Sequence, residues 1–120
     1  MATFSKTILS GSTDGRGIKV AATATAGTLI HTGSATATTL DEVWLYAVNT
    51  SASDVKLTIE WGGVTAPDDL IEYTVEAENG LYLIVAGSLI KGNATPLIVR
   101  AFAGSANVIV VHGYVNQITA

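Results

Sequence analysis

The sequence predicts an all-β fold, an antiparallel β-sandwich of jelly-roll-like or immunoglobulin-like type, as a single domain over residues 1–120. Three observations predict it. Apolar residues recur with a period of two along most of the chain, the spacing at which alternate side chains of a strand reach opposite sheet faces. Polar clusters of Gly, Asn, Ser, Asp and Pro interrupt this pattern at sandwich-like intervals. Stretches with the period of a helix are almost absent. A chain of 120 residues is long enough for one core, because a domain of this size buries about two-thirds of the surface that its unfolded chain exposes.

Taken in order, Met1-Ala2-Thr3-Phe4-Ser5-Lys6 reads as the start of a strand, and residues 1–16 are a candidate N-terminal arm. Gly11-Ser12-Thr13-Asp14-Gly15-Arg16-Gly17 is the closest approach to a phosphate-binding loop. It lacks the Lys-Ser/Thr pair that would grip phosphate and magnesium and precedes a strand instead of a helix, so it reads as a turn. Residues 21–39 are rich in Ala, Thr, Gly and Ser around the apolar island Leu29-Ile30, and read as narrow strands joined by a loop. Small residues there suit either close approach of a partner backbone or a weakly specified edge.

Val55-Lys56-Leu57-Thr58-Ile59-Glu60-Trp61 alternates strictly, the pattern of a strand with one dry and one wet face, and Ile71-Glu72-Tyr73-Thr74-Val75-Glu76 repeats it. Asn79-Gly80 supplies the positive backbone angles of a tight hairpin, expected to join the strand at Ile71 to the strand at Leu81. Residues 50–54, 92–96 and 104–107 are further turns. Residues 43–48, 81–86, 97–102 and 108–115 are apolar on both faces. One face of such a strand meets the opposing sheet, and the other calls for a loop, an arm or a neighbouring subunit.

Composition points the same way. Hydrophobic residues make up 48% of the chain and charged residues 13%, about half the share in an average soluble domain. The excess is not a membrane span, because the longest apolar runs, residues 81–86 and 108–111, fall far short of the roughly 20 residues a spanning helix needs. The start of the chain lacks the layout of a secretion signal, so synthesis in a cytoplasm is expected. With no cysteine, disulfides and thiolate chemistry are excluded. The net charge is −4 and Lys6, Arg16, Lys19, Lys56, Lys91 and Arg100 are scattered, so nucleic acid is not an expected partner.

Catalytic or metal-binding motifs do not emerge. His31 and His112 each sit within a strand pattern and read as hydrogen-bonded structural residues. Asp41-Glu42 point to opposite faces of a strand, and Asp68-Asp69 after Pro67 read as a turn with solvated carboxylates. The serines lack a nucleophile elbow. Asn49-Thr50-Ser51 and Asn93-Ala94-Thr95 match the glycosylation pattern by accident in a chain without a secretion signal. Neither an enzyme, a cofactor, a metal nor a small-molecule substrate is expected. Among the aromatic residues, Trp61 and Tyr73 are in phase with core positions. Trp44 and Tyr46 share one face of their strand while Val43, Leu45 and Ala47 share the other; with the aliphatic face inward, Trp44 and Tyr46 form a partner-binding surface.

Two stretches carry a resemblance. Phe4-Ser5-Lys6-Thr7-Ile8-Leu9-Ser10-Gly11-Ser12-Thr13-Asp14-Gly15-Arg16 with Ile18-Lys19-Val20, and Asp41-Glu42-Val43-Trp44-Leu45-Tyr46-Ala47-Val48-Asn49-Thr50, resemble small structural proteins of tailed bacteriophages. The likeness extends through Leu57-Thr58-Ile59-Glu60-Trp61-Gly62-Gly63 and Val99-Arg100-Ala101-Phe102 to Val111-His112-Gly113-Tyr114-Val115-Asn116. Within that group the chain is similar to capsid decoration, or cement, proteins. The resemblance implies a virion protein on the capsid exterior that braces the major capsid protein lattice, with copies of itself arranged as a homotrimer. The expected contact residues are Phe4, Lys6 and Ile8 of the arm together with Trp44 and Tyr46. Competing readings are a tail, neck or fibre-attachment component and, from another class, a carbohydrate-binding β-sandwich that uses exposed aromatics as a platform.

Overall fold

The computed structural model describes residues 2–119, which form nine strands and no helix: β1 (Thr3–Ile8), β2 (Ile18–Lys19), β3 (Thr28–Thr32), β4 (Thr39–Asn49), β5 (Val55–Trp61), β6 (Leu70–Val75), β7 (Tyr82–Lys91), β8 (Ile98–Ala103) and β9 (Ile109–Thr119). They build two antiparallel sheets packed as a β-sandwich. The larger sheet runs β1-β9-β4-β7, with β2 also on β9, and the smaller runs β3-β8-β5-β6. Pairing is nested: β5 with β6, β4 with β7, β3 with β8, and β1 and β2 with β9. This is the jelly-roll order, one long hairpin folded over itself so that its two arms alternate between sheets.

Alternation decides which side chains make the core. In β4 the odd-numbered residues from Thr39 to Asn49 are buried and the even-numbered ones half-buried. Val43, Leu45 and Ala47 meet Leu57, Ile59, Val99 and Ala101 from the opposite sheet within one cluster of fully buried side chains. Trp61 and Tyr73 pack against this cluster while remaining partly exposed.

The two seams of the sandwich are sealed differently. Between β6 and β7, the Tyr73 and Tyr82 rings stack with centroids 4.7 Å apart. Along the other seam, residues 9–17 leave the larger sheet and reach across to β3. Leu9 enters the core, and the Gly11 N–H donates to the Ile30 carbonyl at 3.0 Å.

Asn79-Gly80 does not form the expected hairpin. Gly80 has the expected positive φ of 70°, preceded by Glu78 at 53°, yet β6 lies in the smaller sheet and β7 in the larger. The turn carries the chain across the sandwich. The hairpin partner of β6 is β5, through residues 62–69, where the Trp61 N–H donates to the Asp69 carbonyl and the Asp69 carboxylate accepts the Thr65 N–H. Asp68-Asp69 thus occupy the expected turn. The segment expected as an arm is docked: residues 3–8 are an edge strand on β9, each of them exposed.

Strand β7 also continues past the expected end at Ala86. Register shifts flank Trp44 in its pairing with β4. Gly87 absorbs one of them at φ +76°, where a Cβ would sit 3.0 Å from the Trp44 indole, so glycine is required twice over.

Candidate functional site

The register brings all five residues expected at an interface onto one surface, the outer face of the larger sheet. Paired residues of an antiparallel ladder share a face. Phe4 lies opposite Ile118, Lys6 opposite Asn116 and Ile8 opposite Tyr114. Ile118, Asn116, Tyr114 and His112 in turn lie opposite Leu40, Glu42, Trp44 and Tyr46. On the far side of β4, Leu89 pairs with Glu42 and Leu83 with Tyr46. Of these, Phe4 is 70% exposed and Leu89 52%. A broad apolar and aromatic surface results, in which charged side chains are few.

Its centre is a transverse stack. The Trp44 and Tyr114 rings are nearly parallel, with 11° between planes and centroids 6.0 Å apart. The Lys6 ammonium stands 4.8 Å from the Tyr114 centroid, a cation–π arrangement, and Gly87 of β7 lies next to the Trp44 indole. Lys6, Tyr114, Trp44 and Gly87 therefore form a rung across four strands.

Glu42 locks the rung. One carboxylate oxygen accepts both the Trp44 indole N–H at 2.7 Å and the Asn116 amide N–H at 2.9 Å. The Asn116 bond, and then the Trp44 bond, hold the Glu42 carboxyl below its ordinary value of 4.5. A depressed folded-state value stabilises the fold fully above the unfolded value, and that contribution is lost as pH falls through the folded one. In a Trp61→Phe background, Trp44 fluorescence should therefore show a transition below pH 4.5 that Glu42→Gln abolishes; an identical acid transition in that variant would refute the lock.

Beneath this face lies a polar cluster that sequence reasoning missed. His31 on β3 and Asp41 on β4 face each other across the sandwich, both buried, with Nε2 2.7 Å from a carboxylate oxygen. The His31 Nδ1 accepts the Ser10 N–H at 3.1 Å, and the Gln117 amide donates to the other Asp41 oxygen at 3.0 Å. Because Nδ1 is an acceptor, the proton of the neutral ring belongs on Nε2, which donates to Asp41. Both ring nitrogens are engaged, so this His–Asp pair has none with which to take a proton from a nucleophile. It ties residues 9–17, β3, β4 and β9 together.

The other candidates are also placed. Glu60 is fully buried on the outer side of β5, where its carboxylate accepts the Gly27 N–H at 2.7 Å and the Thr25 hydroxyl, fastening residues 21–27 over the smaller sheet. The small residues of that segment serve close approach within the chain: a Cβ on Gly27 would lie 2.5 Å from the Ala101 backbone. Asn49 is fully buried, and its amide donates to the Ser53 and Val75 carbonyls, which excludes it as a glycan acceptor. No group of three or more His, Asp or Glu among the described residues could hold a metal ion.

Residues 11–19 form an open cleft of about 360 Å³ with β9, lined by Gly11, Thr13, Arg16, Gly17, Ile18, Lys19, Val110 and His112. Comparison with family models, with curated proteins and with solved structures returned no match to this chain.

Proposed function

We propose that the protein is a non-catalytic virion structural protein that docks through the outer face of its larger sheet, binds the outside of a phage capsid and braces the major capsid protein lattice. The single observation that supports docking is the convergence of Phe4, Ile8, Trp44, Tyr46, Leu83 and Leu89 on that face. An apolar surface of this breadth, centred on aromatic side chains, is the kind that protein partners cover. The capsid as partner is supported by the resemblance of residues 4–16, 18–20 and 41–50, continued through 57–63, 99–102 and 111–116, to phage structural proteins; the first three stretches cover most of β1, β2 and β4 in the larger sheet. Many weakly bound copies would brace a lattice through multivalency without a large interface per subunit.

The test is co-sedimentation with assembled heads lacking the protein, preceded by a mass measurement in solution. A small homo-oligomer, expected as a trimer, should saturate the heads in a fixed ratio. Phe4→Ser with Ile8→Ser should weaken head binding by about tenfold or more, with an unchanged melting curve because both side chains are exposed on an edge strand. A monomer that ignores heads would overturn the capsid reading and direct attention to tail, neck and fibre components.

A further inference from the structure

We infer that the cleft between residues 11–19 and β9 is a recognition site for carboxylate side chains, taking an acidic segment of the protein that covers the adjoining sheet face. Its lining includes Arg16, Lys19, His112 and Thr13 and holds no acidic residue; Asp14, in the same turn, is exposed outside that lining. In a chain of net charge −4, residues 11–19 carry Arg16 and Lys19 against the single carboxylate of Asp14. Lys56 by contrast pairs with Glu72 at 2.9 Å, whereas neither Arg16 nor Lys19 forms an ion pair among the described residues. Both cations are exposed and free to engage a ligand from outside.

The cleft is built by backbone. The Arg16 N–H donates to the Thr13 carbonyl and the Ser12 hydroxyl donates to the Arg16 carbonyl, at 3.0 and 2.6 Å, which closes a tight turn beneath the guanidinium. At Gly17 a Cβ would lie 2.4 Å from the Val110 side chain and 2.7 Å from the His112 imidazole, so these two side chains close against the chain where it comes alongside β9. Val110 and His112 belong to the outer row of β9 that continues into Tyr114 and Asn116. A partner seated on the apolar face therefore reaches the cleft without a gap. Arg binds carboxylate through a planar fork and Lys through a point charge, and rim charges of this kind set orientation and association rate. The choice of a protein partner rests on the docking reading; the charge and shape of the site do not.

Nuclear magnetic resonance titration of the intact protein with tetraglutamate tests the site itself. The amides of Gly11, Gly17 and His112 should shift saturably, tetraglutamine should leave them unmoved, and salt should weaken the response. Arg16→Glu with Lys19→Glu should weaken binding by about tenfold or more with an unchanged melting curve, while Lys91→Glu, at the opposite edge of the same sheet, should have no effect. Shifts shared with tetraglutamine, or unaltered in the double variant, would overturn the inference, as would inorganic phosphate displacing the peptide at lower concentration. Head binding is not part of this titration, so a positive result with no binding to heads would remove the capsid reading alone.

Discussion

Gly113→Ala should destabilise the protein by about 3 kcal/mol or more, lowering the melting temperature by about 10 °C or leaving the chain insoluble. Gly113 lies at the centre of the β4–β9 ladder, opposite Leu45, where a Cβ would come 2.0 Å from the Trp44 carbonyl oxygen and 3.0 Å from its carbon. A flexible side chain could yield, but the obstacle is the backbone of a central strand. Relief requires the two strands to separate, which breaks ladder hydrogen bonds and disturbs the Trp44–Tyr114 stack above them. Gly104→Ala is the control: its Cβ would meet only the Lys56 backbone at 3.9 Å, and its melting temperature should be nearly unchanged. Equal melting temperatures for the two variants would refute the account of strand approach.

His31→Ala should cost about 3 kcal/mol, because loss of the imidazole leaves a buried Asp41 oxygen without its donor and a cavity in place of the ring. Asp41 would keep only the Gln117 amide, and the Ser10 N–H would lose its acceptor. Replacing both partners, His31→Leu with Asp41→Leu, should cost much less than the sum of the single changes, since two apolar groups of suitable volume leave fewer orphaned polar atoms. Urea denaturation of the wild type, His31→Leu, Asp41→Leu and the double variant measures the coupling. Additive losses would mean that the pair contributes nothing as a pair.

These two sites differ in how far the sequence discloses them. Alternation from Val43 to Ala47 separates an aliphatic side from an aromatic one but leaves open which is dry; the burial of Val43, Leu45 and Ala47 places Trp44 and Tyr46 on the outer side. Alternation also identifies the strands around Leu57 and Tyr73, because a period of two is local information. Partner choice between strands is not local. Asn79-Gly80 states a backbone angle, which Gly80 does adopt, but the same angle serves a hairpin or a crossing between sheets. The His31–Asp41 contact is hidden for a related reason, since ten residues of sequence do not disclose that their strands lie in opposite sheets. The cleft is hidden too: Gly11 to Gly17 read correctly as a turn, while the cations acquire a common wall only when β2 pairs with β9 and the His112 side chain comes against Gly17. The five residues expected at an interface are named singly by the sequence, and the β9 register brings them onto one face.

The nested pairing also orders assembly in time. The β5–β6 pair closes across residues 62–69, whereas Thr3 finds Thr119 only after nearly the whole chain has been threaded between them. Loop-closure entropy rises with each enclosing pair, and non-local pairings are the slow ones. Strand β1, which brings Phe4, Lys6 and Ile8, thus zips last onto a sheet already formed by its inner strands. The proposed docking face is then completed at the final step of folding, so a chain that has not yet closed its outermost pair presents an incomplete surface and an open β9 edge to its neighbours.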